Sequence, residues 1–176
     1  MKNKEHCFQS IITIPPYQDG IKVCKLSEKD IDAMYAICIS NPYYFACMKS
    51  KPTKASLKED LTALPMGKSM QDKYFHGFYH QEELLGFLDA IVGYPNEDCL
   101  YIGWFMIHKK YQGTMFAQTL MKTLLHQCFS AKYARLGCIK GNVVAEKFWT
   151  KLGFHFTKEE MDMGKYQVRM METSLL

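Results

Sequence analysis

No stretch of the 176-residue chain offers the roughly 20 consecutive apolar residues that a membrane-crossing helix needs. Its opening, MKNKEHCFQS, also lacks the apolar core of a secretion signal. Those two absences predict a cytoplasmic protein with no membrane partner. The seven cysteines (Cys7, Cys24, Cys38, Cys47, Cys99, Cys128 and Cys138) are odd in number and never form a C-x-x-C pair. Neither a disulfide framework nor a zinc site is suggested, so reduced, mostly buried thiols and no bound metal are expected. A clustered basic face is missing too, because the formal net charge is only +4 and Lys and Arg are dispersed among acids. That pattern argues against nucleic-acid binding and suits an anionic small ligand such as a nucleotide.

What is present suffices for one core: 48% of the residues are apolar, which predicts a single domain over residues 1–176 with one active site. Residues 1–20 read as an N-terminal extension, with an edge strand as one option. Residues 22–26 (KVCKL) read as a short strand. Ser27 with Asp30 caps a helix whose apolar stripe runs through Ile31, Met34, Ile37 and Cys38, and Asn41-Pro42 stops it. Thr53 can cap a second helix carrying Leu57, Leu61 and Leu64, ended by Pro65 and Gly67.

Three runs rich in aromatic and branched residues follow at 73–80, 84–92 and 99–107, joined by short connections that suit antiparallel neighbours. The last two are apolar at almost every position, so both of their faces should be covered. From Thr114 the period becomes helical through Phe116, Leu120, Met121, Leu124, Leu125 and Cys128. Residues 133–139 (YARLGCI) read as a strand. Asn142 then caps a short helix bearing Ala145, Phe148, Trp149 and Leu152, closed by Gly153, and strands near 154–158 and 165–172 complete the chain.

A buried strand, the polar turn HKKYQGT and an amphipathic helix together form the geometry in which the free N–H groups of a helix converge on an anion. Taken alone the signal is weak, since every strand-to-helix unit has such a turn. Two motifs sharpen it. YQGTMFAQTLMKTLL and GNVVAEKFWTKLGF, within the stretch Phe105 to Phe154, resemble the GNAT superfamily of N-acetyltransferases. In that family a turn Q/R-x-x-G-x-G/A precedes a long amphipathic helix, a strand, and a helix N-x-x-A-x-x-F-Y followed by K-L-G-F.

The resemblance implies a mixed α/β (α+β) fold, with a splayed, mostly antiparallel sheet of about six to seven strands and helices on both faces. Its coenzyme-binding core would span 99–158. Acetyl-coenzyme A is the implied co-substrate, with Gln112, Gly113, Thr114, Met115, Phe116 and Ala117 wrapping the pyrophosphate mainly through main-chain N–H groups. The strand end at Phe105, Met106 and Ile107 would pair with the pantetheine arm, and Asn142 and Phe148 would flank its thiol end. Two positions depart from the family pattern. Met115 replaces its middle glycine and would crowd the phosphates if it turned inward. Trp149 stands where a catalytic tyrosine is common, and an indole N–H cannot supply a proton near neutral pH.

The implied reaction is direct attack by an amine of a small molecule or peptide on the thioester, with a backbone N–H near the end of the fourth strand holding the oxyanion. No protein nucleophile is needed, and Cys138 reads as inert core. Asp89 interrupts an apolar strand and is the leading general base, with a structural carboxylate as the equal alternative; Tyr101 or a water chain could also serve. His108 reads as a surface residue. Tyr43, Tyr44 and Phe45, with Trp104 and Tyr94, would form an aromatic wall for the acceptor, and core packing explains them equally well. A homodimer is common in the family. The alternative function is a non-catalytic acyl-coenzyme A-binding regulatory domain of the same fold.

Overall fold

Ile12 and Ile14 are buried while Ile11 and Thr13 face solvent, the period-two pattern of a strand covered on one side. They form β1 (Ile11–Ile14), the first element in a computed structural model that describes residues 11–176. It pairs antiparallel with β2 (Tyr17–Lys25), which begins five residues before the strand read from sequence at 22–26. Residues 1–10 lie outside the described residues, so of the extension read at 1–20 only β1 and the start of β2 are described.

Ser27 and Asp30 form the expected capping box, with the Ser27 N–H donating to Asp30 Oδ2 at 2.8 Å, ahead of α1 (Ile31–Ile39). Asn41-Pro42, read from sequence only as a helix stop, also opens a short helix, α2 (Pro42–Cys47). Proline lacks an N–H and fits a first helical turn, so the dipeptide that ends α1 also opens α2. Thr53 caps α3 (Lys54–Asp60) by accepting the Ser56 N–H at 3.0 Å. Three consecutive antiparallel strands follow: β3 (Lys73–His80), β4 (Glu83–Val92) and β5 (Cys99–Ile107). Next come α4 (Phe116–Gln127), β6 (Tyr133–Ile139), α5 (Val143–Lys151), β7 (His155–Asp162) and β8 (Gln167–Ser174).

The eight strands make one sheet in the order β1-β2-β3-β4-β5-β6-β8-β7. Every pairing is antiparallel except β5 with β6. A core on one face packs Phe116, Leu120, Met121 and Leu124 of α4 and Trp149 of α5 against Leu88, Leu100, Ile102 and Leu136. On the other face α1, α2 and α3 supply Met34, Ile37, Phe45 and Leu57 against Phe75, Phe87 and Met106. Each buried side chain of this kind contributes roughly 1.5–3 kcal/mol. Cys24, Cys38, Cys47, Cys99 and Cys138 are free thiols as expected, whereas Cys128 is disulfide-bonded and departs from that expectation.

Two irregularities shape the sheet centre. Asp89 pairs with Trp104 and Ala90 with Ile102, so Gly103 is an extra residue in β5, a bulge. The parallel pairing of β5 with β6 runs from Cys99 and Tyr133 only as far as Ile102 and Leu136. Beyond that point the strands part, leaving the second half of β5 bonded to β4 alone.

Burial, with a smaller push from Lys25, holds the His76 imidazole on β3 down to about 4. The unfolded chain therefore takes up a proton first as pH falls, and stability is lost between about pH 6.5 and 4. This histidine should remove on the order of 3 kcal/mol across that window. Thermal melts of a His76→Phe variant should show a flatter decline over the same range; an unchanged slope would contradict the burial argument.

Candidate active site

The turn after β5 is built by local bonds. His108 Nδ1 accepts the Lys110 N–H at 3.2 Å, and so caps a single 3-10 turn at Lys109–Tyr111. Gly113 follows at φ +78°, where side chains are strained, and nothing lies within 4 Å of where its Cβ would stand. The Thr114 hydroxyl donates to the Tyr111 carbonyl at 3.0 Å and accepts the Phe116 N–H at 3.3 Å. No side chain caps α4. Among the described residues, no hydrogen bond reaches the main-chain N–H of Gly113, Thr114, Met115, Ala117 or Gln118. Five free donors at the positive end of a helix dipole form a ready receptor for a phosphate linkage.

The Gln112 side chain points elsewhere. Its Nε2 donates to Asn41 Oδ1 at 2.6 Å and to the Ile107 carbonyl at 2.9 Å. Asn41, only 8% exposed, also donates from Nδ2 to the carbonyls of Ile37 at 2.9 Å and Ile107 at 3.2 Å. One buried amide thus ties the α1–α2 junction to the turn before α4. From sequence, Asn41 reads only as a helix stop. The Ile107 carbonyl already accepts twice, so of the strand-end residues expected to pair with a ligand, Phe105 and Met106 lie along the stretch that has parted from β6, and Ile107 is taken up by the turn.

Phe105 stacks on Phe148 at 5.7 Å and 22°. Trp149 meets both rings and Phe154 edge-on, and is 7% exposed. It is a core residue on the α4–α5 face. Asn142 Oδ1 accepts the Ala145 N–H at 3.1 Å, so its side-chain oxygen caps α5. Burial pushes the Cys138 thiol up to about 11, too high for a nucleophile at neutral pH.

On the opposite face, Asp89 and Tyr101 come together. They line a pocket of about 290 Å³ with Ala63, Leu64, Pro65, Lys73, Ile91 and Tyr94. Lys73, not singled out from sequence, is almost fully enclosed; its Nζ lies 2.9 Å from both Asp89 oxygens and from the Ala63 carbonyl. Asp89 stands over the bulge, since a Cβ on Gly103 would lie 3.5 Å from its Oδ2. Burial raises the Asp89 carboxyl above its ordinary value and Asp60 adds to this, while Lys73 pulls it back. Burial also raises the Tyr101 phenol, which therefore keeps its proton and acts as a donor, not a base. Tyr94 meets Tyr101 edge-on at 5.5 Å. Of the expected aromatic wall, Tyr44 stacks on Trp104 at 6.3 Å and Phe45 meets the same indole at 6.4 Å. Tyr43 instead donates to the Gly141 carbonyl at 3.2 Å.

The model of the acetyltransferase (GNAT) family matches residues 38–154. The chain belongs to this family. Solved structures share the fold of this GNAT chain. An acetyltransferase from Thermus thermophilus superposes with a TM-score of 0.73 at 20% identity, over 88% of this chain and 97% of that one. The PaiA N-acetyltransferase from Thermoplasma acidophilum, in complex with coenzyme A, gives 0.62 at 17% over 88% and 98%. The ribosomal-protein-S18-alanine N-acetyltransferase from Escherichia coli gives 0.63 at 12% over 88% and 94%. None of the curated proteins compared with it matches this sequence.

Against the GNAT pattern, Met115 stands in place of a glycine. It takes an ordinary helical conformation (φ −68°, ψ −13°) and its side chain is 70% exposed, so it neither strains the turn nor plugs it from within. Cutting the Asn41 link should be felt at the turn. Asn41→Ala is expected to lower stability by about 1–3 kcal/mol in denaturant melts and to speed amide exchange at residues 113–118. Unchanged exchange there would show that the link does not hold the turn.

Proposed function

We propose that this GNAT chain transfers the acetyl group of acetyl-coenzyme A to an amine by direct attack. The observation that carries the reading is a pair of unsatisfied main-chain surfaces on consecutive segments: the free amides of residues 113, 114, 115, 117 and 118 and the stretch of β5 that has left β6. The residues present fit the coenzyme, because Gly113 leaves open space beside the donors and Met115 faces solvent. The family match and the coenzyme A complex of the PaiA structure support the same assignment.

The thioester supplies an activated acetyl group and a stable thiolate leaving group. The free amides of residues 113, 114, 115, 117 and 118 would hold the pyrophosphate, and the free edge of β5 past Gly103 would offer the N–H that steadies the carbonyl oxygen. A neutral amine entering from the Asp89 face forms the new N–C bond as the C–S bond breaks. The extra proton on nitrogen passes to Asp89, and the thiolate takes its proton from water. Lys73 holds both Asp89 oxygens, so the carboxylate cannot swing out of place. Trp149 has no proton to give, and none is asked of it.

Acetyl-coenzyme A should raise the melting temperature, and thiol release should follow addition of an amine. Asp89→Asn should lower kcat by roughly 10²–10⁴-fold while leaving that stabilisation in place. In the parent protein kcat/KM should rise with pH through a limb above the ordinary carboxylate value, the direction set by burial of Asp89. The variant should lack this limb. Stabilisation without thiol release from any amine would favour the non-catalytic acyl-coenzyme A-binding alternative.

A further inference from the structure

We infer that the acceptor is a compact primary monoamine with an apolar or aromatic body, seated in the pocket between the segment that follows α3 and strands β3, β4 and β5. This rests on the acetyl-transfer reading above and names the acceptor class for the same site. The pocket measures about 290 Å³. That is the lower edge of the roughly 300–1,000 Å³ that ligand sites for drug-sized molecules occupy. It admits a body of one ring or a short branched chain. An oligosaccharide antibiotic would leave most of its body outside the walls.

The lining decides the chemistry. Leu64, Pro65 and Ile91 give an aliphatic wall, and Tyr94 and Tyr101, meeting edge-on, give an aromatic one. Such walls favour flat or branched apolar groups, and Tyr rings accept a nearby cationic amine. Besides the Tyr94 and Tyr101 phenols, polar capacity comes from one charged pair, Lys73 and Asp89. Lys73 spends its donors on Asp89 and on the Ala63 carbonyl, so the carboxylate is the anchor left to the ligand and is itself largely neutralised. The charged groups that face Asp89 are Lys73 of β3 and Asp60 of α3. Together the three carry a single net negative charge, which balances one ammonium on entry; that ammonium gives its proton to solvent water before the neutral amine attacks. A polyamine would bring further charges into aliphatic surroundings with no acid to meet them, at a large desolvation penalty.

Position supports the assignment. Asp89 overlies Gly103, and the sheet opens at the residue before it, where β5 last pairs with β6. An amine held at Asp89 is therefore delivered to the start of the cleft, with its body turned back toward Leu64 and Tyr94.

The test compares thiol release from acetyl-coenzyme A with 2-phenylethylamine, spermidine, an aminoglycoside and an alanine-terminated peptide. Release with 2-phenylethylamine at a kcat/KM at least tenfold above the other acceptors is expected. Leu64→Trp, which fills the pocket, should cut that value more than tenfold while calorimetry shows unchanged acetyl-coenzyme A binding. Preference for spermidine, the aminoglycoside or the peptide would overturn the inference, as would unaltered turnover in the Leu64→Trp protein. Release with no amine while acetyl-coenzyme A still binds would also overturn it and leave coenzyme binding standing. Absence of coenzyme binding would remove the acetyl-transfer reading itself.

Discussion

Strands β5 and β6 share hydrogen bonds only up to Ile102 and Leu136, and the rest of the site follows from that parting. A backbone edge that has lost its neighbour carries polar groups that need partners. Two causes act together. The bulge at Gly103 shifts the strand by one residue, so Ile102 and Phe105 face the α4–α5 core while Tyr101, Trp104 and Met106 face α1–α3. The turn into α4 then carries the chain away from the sheet, with Asn41 and Gln112 fixing its exit at the Ile107 carbonyl. The free amides of residues 113, 114, 115, 117 and 118 and the free edge of β5 thus belong to one interruption of the sheet.

The second constraint is the Lys73–Asp89 pair. Removing one partner from a buried pair is destabilising by about 3–5 kcal/mol, because the other charge is left without compensation. A hydrophobic pair of similar volume would fill the same space without that liability. The pair nonetheless sits in the wall of a pocket beside the bulge, with the Asp89 side chain 17% exposed and that of Lys73 1% exposed. A carboxylate held by a lysine on one side and open on the other suits proton acceptance with fixed direction. Burial and lysine act on Asp89 in opposite senses, with burial the larger, so the carboxyl stays basic enough to take a proton from an amine that has formed its new bond.

Much of the fold was legible because periodicity and caps are local. The boxes at Ser27–Asp30 and Thr53–Ser56, the Asn142 cap and the helical period of α4 all appear where the spacing put them. The short helix α2 was not legible, since Asn41-Pro42 signals an end and a beginning with the same two residues. β1 lies in sequence too short to show a firm pattern, which is why the sheet has eight strands where six to seven were expected. At the site, the turn around Gly113 and Asp89 could be found from motif and polarity. Lys73 could not, because a lysine at the first position of a strand ordinarily reads as solvated, and its burial depends on the Ala63 carbonyl and Asp89 closing over it. The roles of Gln112 and Asn41 were hidden for the same reason: their bond joins residues that are 71 positions apart.

The central claim is that main-chain donors at the start of α4 grip the coenzyme. Nitrogen-15 NMR during titration with acetyl-coenzyme A tests it most directly. The amides of Gly113, Thr114, Met115, Ala117 and Gln118 should shift together, saturate at one stoichiometric equivalent and gain protection from solvent exchange. Binding that leaves those five resonances in place, or no binding at all, would contradict it.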